Sequence, residues 1–159
     1  RQISTELAGA VLLVGVFVDA GRDEIARAIE AVPLDMIQLH GDESAADCEG
    51  WGVPVIKAVR LRDRAAWEDA GRYPADFILV DAHVAGEPGG TGRRAPVEWI
   101  GPGMRDRLIL AGGLDPDSVA EAIRAVAPFA VDVASGVESS PGHKDREKVE
   151  RFIENAHHA

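Results

Sequence analysis

The sequence predicts an α/β fold built on a parallel sheet. Three observations lead there: six short runs rich in Val, Ile and Leu recur along the chain, helical apolar spacing follows most of them, and the runs are nearly continuous rather than alternating. Strands covered by helices on both faces read as continuous apolar runs, whereas half-exposed strands alternate. The predicted strands are Val11–Val18, Asp35–His40, Pro54–Arg60, Phe77–Asp81, Leu108–Leu110 and Phe129–Val133. The steps between them average about 23 residues, the size of one βα unit.

Taken in order, the connecting segments carry one template. Ile25, Ala28, Ile29 and Val32 fall at i, i+3, i+4 and i+7, as do Val119, Ala122, Ile123 and Val126, and Val149, Phe152, Ile153 and Ala156. Each set makes one apolar stripe on a helix, with the charged residues between them facing water. Asp115 followed by Pro116 predicts a helix cap and first position, and Asp145 predicts the cap of the last helix. Weaker helices are expected at Glu43–Trp51 and Arg62–Gly71. The stretch Gly86–Gly92 is rich in Gly and Pro and leads to a short helix near Val97–Ile100.

A chain of 159 residues, 46% hydrophobic, is expected to form one domain over 1–159. With 17 Lys+Arg against 27 Asp+Glu the net charge is −10, which repels nucleic acid and anionic membranes and points to a small-molecule partner. The longest apolar run, Ala8–Val18, stops at Asp19, well short of the roughly 20 residues that span a bilayer, and reads as a buried strand with its approach. A single cysteine excludes an internal disulfide framework, and no basic segment with a cleavage site precedes the apolar run, so a reducing cytoplasm is the expected location. Cys48, in a predicted helix one turn from Trp51, reads as a core residue. His143, His157 and His158 lack metal-ligand spacing, so no metal is expected.

The polar residues stand at the strand ends: Asp19, His40 with Gly41, Arg60, Asp81, Gly112–Gly113 and Ser135–Gly136. An open sheet concentrates its site at one switch point, whereas a TIM (βα)8 barrel collects reactive groups from many strand ends. The distribution therefore favours the barrel. A carboxylate at the mouth of an apolar core, as Asp81 would be, suits a general acid; a helix cap or salt-bridged aspartate is the plainer reading. Gly112–Gly113 and Ser135–Gly136 follow the last two strands, where such barrels often bind phosphate through backbone N–H groups with help from a short extra helix, here expected at Val137–Ser140. Each glycine pair alone is also ordinary turn punctuation. His40 is either a substrate hydrogen-bonding group or a satisfied strand-end histidine. Alternation turns Asp132 toward the barrel interior, as a structural anchor or a site residue.

Seven stretches then carry a family likeness: Val14-Gly-Val-Phe-Val18, Ile37-Gln-Leu-His-Gly-Asp-Glu-Ser44, Pro54-Val-Ile-Lys-Ala58, Leu79-Val-Asp-Ala82, Gly89-Gly-Thr-Gly92, Leu110-Ala-Gly-Gly-Leu114 and Val131-Asp-Val-Ala-Ser-Gly-Val-Glu-Ser-Ser-Pro-Gly142. In this order they resemble the phosphoribosylanthranilate isomerases of tryptophan biosynthesis. The resemblance implies an eight-stranded barrel that converts an aminoaldose to an aminoketose by an Amadori rearrangement, without metal or organic cofactor. It implies Asp81 as general acid, Gly112, Gly113, Ser135 and Gly136 as phosphate cradle, and His40 as the family's histidine. Arg1, in Arg1-Gln-Ile-Ser4, matches the arginine that pairs with the anthranilate carboxylate, a role suited to a bidentate guanidinium.

Two departures accompany the likeness. Ala134 stands where many members carry serine, which removes one hydrogen bond near the phosphate or sugar. The family's general base, a cysteine ending its first strand in a Lys-Ile-Cys-Gly type segment, has no match. The six strands would then be the family's third to eighth, the barrel domain N-terminally incomplete, and the chain alone inactive or nearly so. An unclosed sheet would expose two strand edges, and a monomer or homodimer is expected. The alternatives are a non-catalytic phosphosugar-binding barrel and the related histidine-pathway aminoaldose isomerase, against which the Gln38-to-Ser44 stretch argues.

Overall fold

Six parallel-type runs become six strands in the computed structural model, which describes residues 6, 9–81 and 99–159. They are β1 (Val14–Phe17), β2 (Met36–Leu39), β3 (Val55–Arg60), β4 (Phe77–Asp81), β5 (Leu108–Ala111) and β6 (Ala130–Val131). Their hydrogen-bonded order is sequential, β1-β2-β3-β4-β5-β6. The pairs β1·β2, β2·β3 and β5·β6 are parallel, in registers such as Val16↔Gln38, Leu39↔Lys57 and Leu110↔Val131. The α/β class with a parallel sheet is as the sequence predicts, and it is the strand arrangement of a TIM-type fold.

The chain divides into two compact units, Arg1–Ala58 with Arg72–Ile78, and Val59–Gly71 with Leu79–Ala159. In the first, helix α1 (Arg22–Ala31) carries Asp23 and Glu24 in its first turn and buries Ile25. Ile37 and Leu39 of β2 are wholly buried and Gln38 between them nearly so, the continuous burial of a strand covered on both faces. Helix Glu43–Trp51 is not formed: only a 3-10 turn, Ala45–Cys48, appears. Asp47 Oδ2 accepts from the Ser44 N–H and hydroxyl, fixing the start, while Gly50 and Gly52 at φ 77° and 73° turn the chain out of the helical region.

In the second unit, Asp63 caps α2 (Arg64–Ala70) by accepting from Ala66 N, and Trp67 and Ala70 face the core. Helix α3 (Val119–Val126) buries Val119, Ala122 and Val126 but starts later than Asp115-Pro116 predicts. Asp115 Oδ1 accepts from Asp117 N and Ser118 N, closing a turn ahead of the helix, so Ser118 takes the cap position. Asp145 caps α4 (Arg146–His157) as expected, accepting from Lys148 N. Val137–Ser140 is not a helix: a 3-10 turn covers Ser135–Val137, and Glu138–Ser140 (β7) pairs antiparallel with His143–Lys144 (β8). Gly142, at φ 80°, makes that hairpin possible, and Lys144 Nζ ties it to Glu138 and to the Ala134 carbonyl. Residues 97 and 98 of the expected short helix lie outside the described residues.

The apolar run to Val18 corrects another expectation. Its strand is shorter than predicted and is not buried: Val16 is 59% exposed and Val18 63%. Among the described residues β1 is terminal in the strand order and pairs with β2. No helix among the described residues is long and apolar enough to cross a membrane.

The first unit turns on a buried ion pair. Lys57, in the middle of β3 and 2% exposed, donates its three ammonium hydrogens' worth of contacts to Leu39 O (3.3 Å), Gly41 O (2.7 Å) and Glu43 Oε2 (2.9 Å). Glu43 in turn accepts from Asp19 N at 2.9 Å and from Gly41 N at 2.9 Å. Asp19, itself at φ 50°, accepts from Asp42 N at 2.7 Å. A side chain at position 41 would put its Cβ 2.2 Å from Asp19 Oδ1, so only glycine fits there. Burial pushes the Glu43 carboxyl up, but the bond from Lys57 and the backbone donors outweigh it and hold the carboxyl below its ordinary value.

Removing one partner leaves an uncompensated buried charge. Lys57→Met is expected to lower the unfolding free energy by about 3–5 kcal/mol at pH 7, and Lys57→Met/Glu43→Leu by less, measured by urea denaturation. Because Glu43 is depressed in the folded state, its contribution is present above the unfolded carboxyl range and is lost as pH falls through the lower folded value. Stability of the parent chain should drop over that window, with a shallower drop in the double variant.

Candidate active site

Strand ends supply most of the candidate residues. In the first unit His40 follows β2 directly, half-buried, its N–H donating to Phe17 O at 2.8 Å. Gln38, two residues back on the same face, is 9% exposed and brings its amide nitrogen 2.7 Å from His40 Nδ1. The residue after the histidine is the glycine whose carbonyl and N–H are both held by the Lys57–Glu43 pair. A fixed main chain thus carries the ring.

In the second unit Asp81 is the last residue of β4, half-buried, and its carbonyl accepts from Leu61 N at 3.0 Å. Gly112 and Gly113 follow β5 at φ 90° and 64°, a backbone that side-chain-bearing residues seldom adopt. Ser135 and Gly136 open the 3-10 turn after β6. A Cβ at Gly136 would lie 1.9 Å from Leu114 O and 3.2 Å from Asp115 Cα. The backbones after β5 and β6 are therefore in direct contact, and glycine is what lets them approach. That contact joins Gly136 to the segment that begins at Gly112–Gly113. Backbone N–H groups displayed by two glycine turns can hold an oxyanion without a cation.

Asp132 departs from its expected burial. It stands just past β6 and is exposed, with its N–H donating to Leu110 O at 2.9 Å. A two-residue strand at the end of the sheet order leaves the residue after it at the surface. Ala134 is exposed, and its carbonyl accepts from Lys144 Nζ. Arg1 and the loop Gly86–Gly92 lie outside the described residues. Among the described residues no three His, Cys, Asp or Glu groups are placed to hold a metal ion.

Three side chains at the site, Lys57, Glu43 and Gln38, have no role in the sequence-based expectations. Lys57 and Glu43 carry no motif of their own, but a signal was present: a lysine inside the apolar strand Val55-Ile-Lys-Ala-Val59 has to be neutralised by a nearby carboxylate. Gln38 carried a subtler one, a polar residue flanked by two buried apolar ones. Cys48 is buried as expected, its Sγ 3.6 Å from Ser44 O, and burial pushes its thiol up.

The model of the family described as PRAI, N-(5'-phosphoribosyl)anthranilate (PRA) isomerase, matches residues 2–155. The N-(5'-phosphoribosyl)anthranilate isomerase of Pseudomonas fluorescens (strain Pf0-1) is 50% identical over 157 residues, covering 96% of this chain and 76% of that protein. The crystal structure of phosphoribosyl anthranilate isomerase from Thermotoga maritima superposes with a TM-score of 0.88 at 41% identity, over 100% of this chain and 79% of that one. A phosphoribosyl anthranilate isomerase solved in complex with reduced 1-(o-carboxyphenylamino)-1-deoxyribulose 5-phosphate gives 0.84 at 39% identity, over 100% and 78%. With a family match over nearly its whole length and half its residues shared with a member, the chain belongs to the N-(5'-phosphoribosyl)anthranilate isomerase family.

Proposed function

We propose that the protein isomerises N-(5-phosphoribosyl)anthranilate to its 1-deoxyribulose 5-phosphate aminoketose, a step of tryptophan biosynthesis. The observation that supports this reading is the close fit of Gly136 against the Leu114 carbonyl, which brings the turns after β5 and β6 together where the phosphate would be held. Gly112, Gly113, Ser135 and Gly136 hold the phosphate there. Asp81, half-buried at the end of β4, acts as general acid. It protonates the ribose ring oxygen as the ring C–O bond breaks, and the anilinic nitrogen supplies the electron pair that forms the Schiff base. Loss of the proton from the adjacent sugar carbon gives an enolamine, which tautomerises to the ketone; no external oxidant or reductant is needed. His40 and Asp132 bind the sugar, and Arg1 pairs with the anthranilate carboxylate. No metal or organic cofactor takes part.

The base is the cysteine that ends the first strand in relatives, so β1–β6 correspond to the third to eighth strands of an eight-stranded barrel. Cys48 does not replace it, because its thiol is buried in a 3-10 turn and burial holds it protonated. A polypeptide of these 159 residues alone is therefore expected to turn over at least about 10²-fold more slowly than one that also carries the base.

In the protein that carries both groups, Asp81→Asn should lower kcat by about 10²–10⁴-fold while the affinity for reduced 1-(o-carboxyphenylamino)-1-deoxyribulose 5-phosphate changes little. Loss of binding with no specific loss of kcat would assign Asp81 to binding instead. Gly136→Ala should cost analogue binding, read by calorimetry, because the added methyl group forces the two turns apart. Unchanged affinity in that variant would remove the cradle from the account.

A further inference from the structure

We propose that Gln38 is a positioning residue that fixes the tautomer of His40, so that the ring offers Nε2–H as a hydrogen-bond donor to an acceptor oxygen of the anionic phosphosugar. The role in substrate binding rests on the isomerase reading above; the tautomer does not. The Gln38 amide nitrogen lies 2.7 Å from His40 Nδ1. An amide nitrogen only donates, so Nδ1 accepts, and the neutral ring then carries its proton on Nε2.

Three features make this arrangement specific. Gln38 is 9% exposed, so few competing waters reach its amide. Its register neighbours on both sides, Val16 and Ile56, are apolar and offer no side-chain hydrogen bond. The main chain on either side of the ring is pinned as well: His40 N donates to Phe17 O, and Gly41 is held by Lys57 and Glu43. Ring rotation and proton placement are the freedoms that a hydrogen bond from the Gln38 amide would restrict. A histidine that has to donate in one direction needs a partner of this kind behind it.

The test is a long-range ¹H–¹⁵N correlation spectrum of the ¹⁵N-labelled natural protein that carries these residues, above pH 8, with calorimetric titration of the reduced carboxyphenylamino-deoxyribulose 5-phosphate analogue. The expected spectrum shows His40 protonated on Nε2. In Gln38→Glu the carboxylate accepts from the ring, so the proton moves to Nδ1 and analogue affinity falls about tenfold or more. Gln38→Met, which keeps the volume and removes the donor, should give a mixed tautomer and a smaller loss, and it serves if the glutamate variant does not fold. His40 protonated on Nδ1 in the parent chain overturns the inference, as does a swapped tautomer with unchanged affinity. Failure of the parent protein to bind the analogue while His40 carries Nε2–H would instead overturn the isomerase reading, and with it the purpose assigned to this donor.

Discussion

The buried pair of Lys57 and Glu43 is the constraint on which the first unit is organised. An ammonium group out of water is tolerable only with its hydrogens bonded and a counter-charge in contact. Lys57 meets both conditions by drawing in the carbonyls of Leu39 and Gly41 together with the Glu43 carboxylate. Glu43 then collects the N–H groups of Asp19 and Gly41. One interaction thus fixes the end of β1, the turn after β2 and the middle of β3 together. Its return is specificity of arrangement more than net stability, since an apolar pair of the same volume can be equally stable. The candidate histidine sits on the backbone held in this way.

The second unit reaches a comparable result by sterics rather than charge. Leu114 O and Gly136 are so close that no side chain fits between them, and Gly112 and Gly113 adopt backbone angles that favour glycine. Glycine here removes atoms instead of adding contacts, which lets the two turns approach.

Much of this was legible in the sequence. Continuous apolar runs located the six strands of the parallel sheet; β2, β3, β4 and β5 are largely buried, whereas β1 is not. The i, i+3, i+4, i+7 stripes located α1, α3 and α4. Errors arose where short-range hydrogen bonds compete with periodicity: Ser44 with Asp47 limited a helix to a 3-10 turn, and Asp115 with Ser118 displaced a helix start. Val16 and Val18 were misjudged because burial depends on which neighbours a strand has, and apolarity alone does not state that. The strand-end glycines, Asp81 and His40 were visible as residue types in position. Glu43 and Lys57, which hold the main chain beside His40, are paired only in the structure, because Glu43 meets Asp19 24 residues away and Lys57 14 residues away along the chain.

Family membership supports phosphoribosylanthranilate isomerase activity, and the proposed roles of the glycine turns and Asp81 are a reading of how the chain would carry it out. The decisive measurement is incubation of N-(5-phosphoribosyl)anthranilate with the natural protein that carries these residues, following substrate and product by NMR. The account predicts stoichiometric appearance of the 1-deoxyribulose 5-phosphate aminoketose under metal-free conditions. Saturable binding of the substrate without conversion would contradict it and leave a phosphosugar-binding barrel in its place.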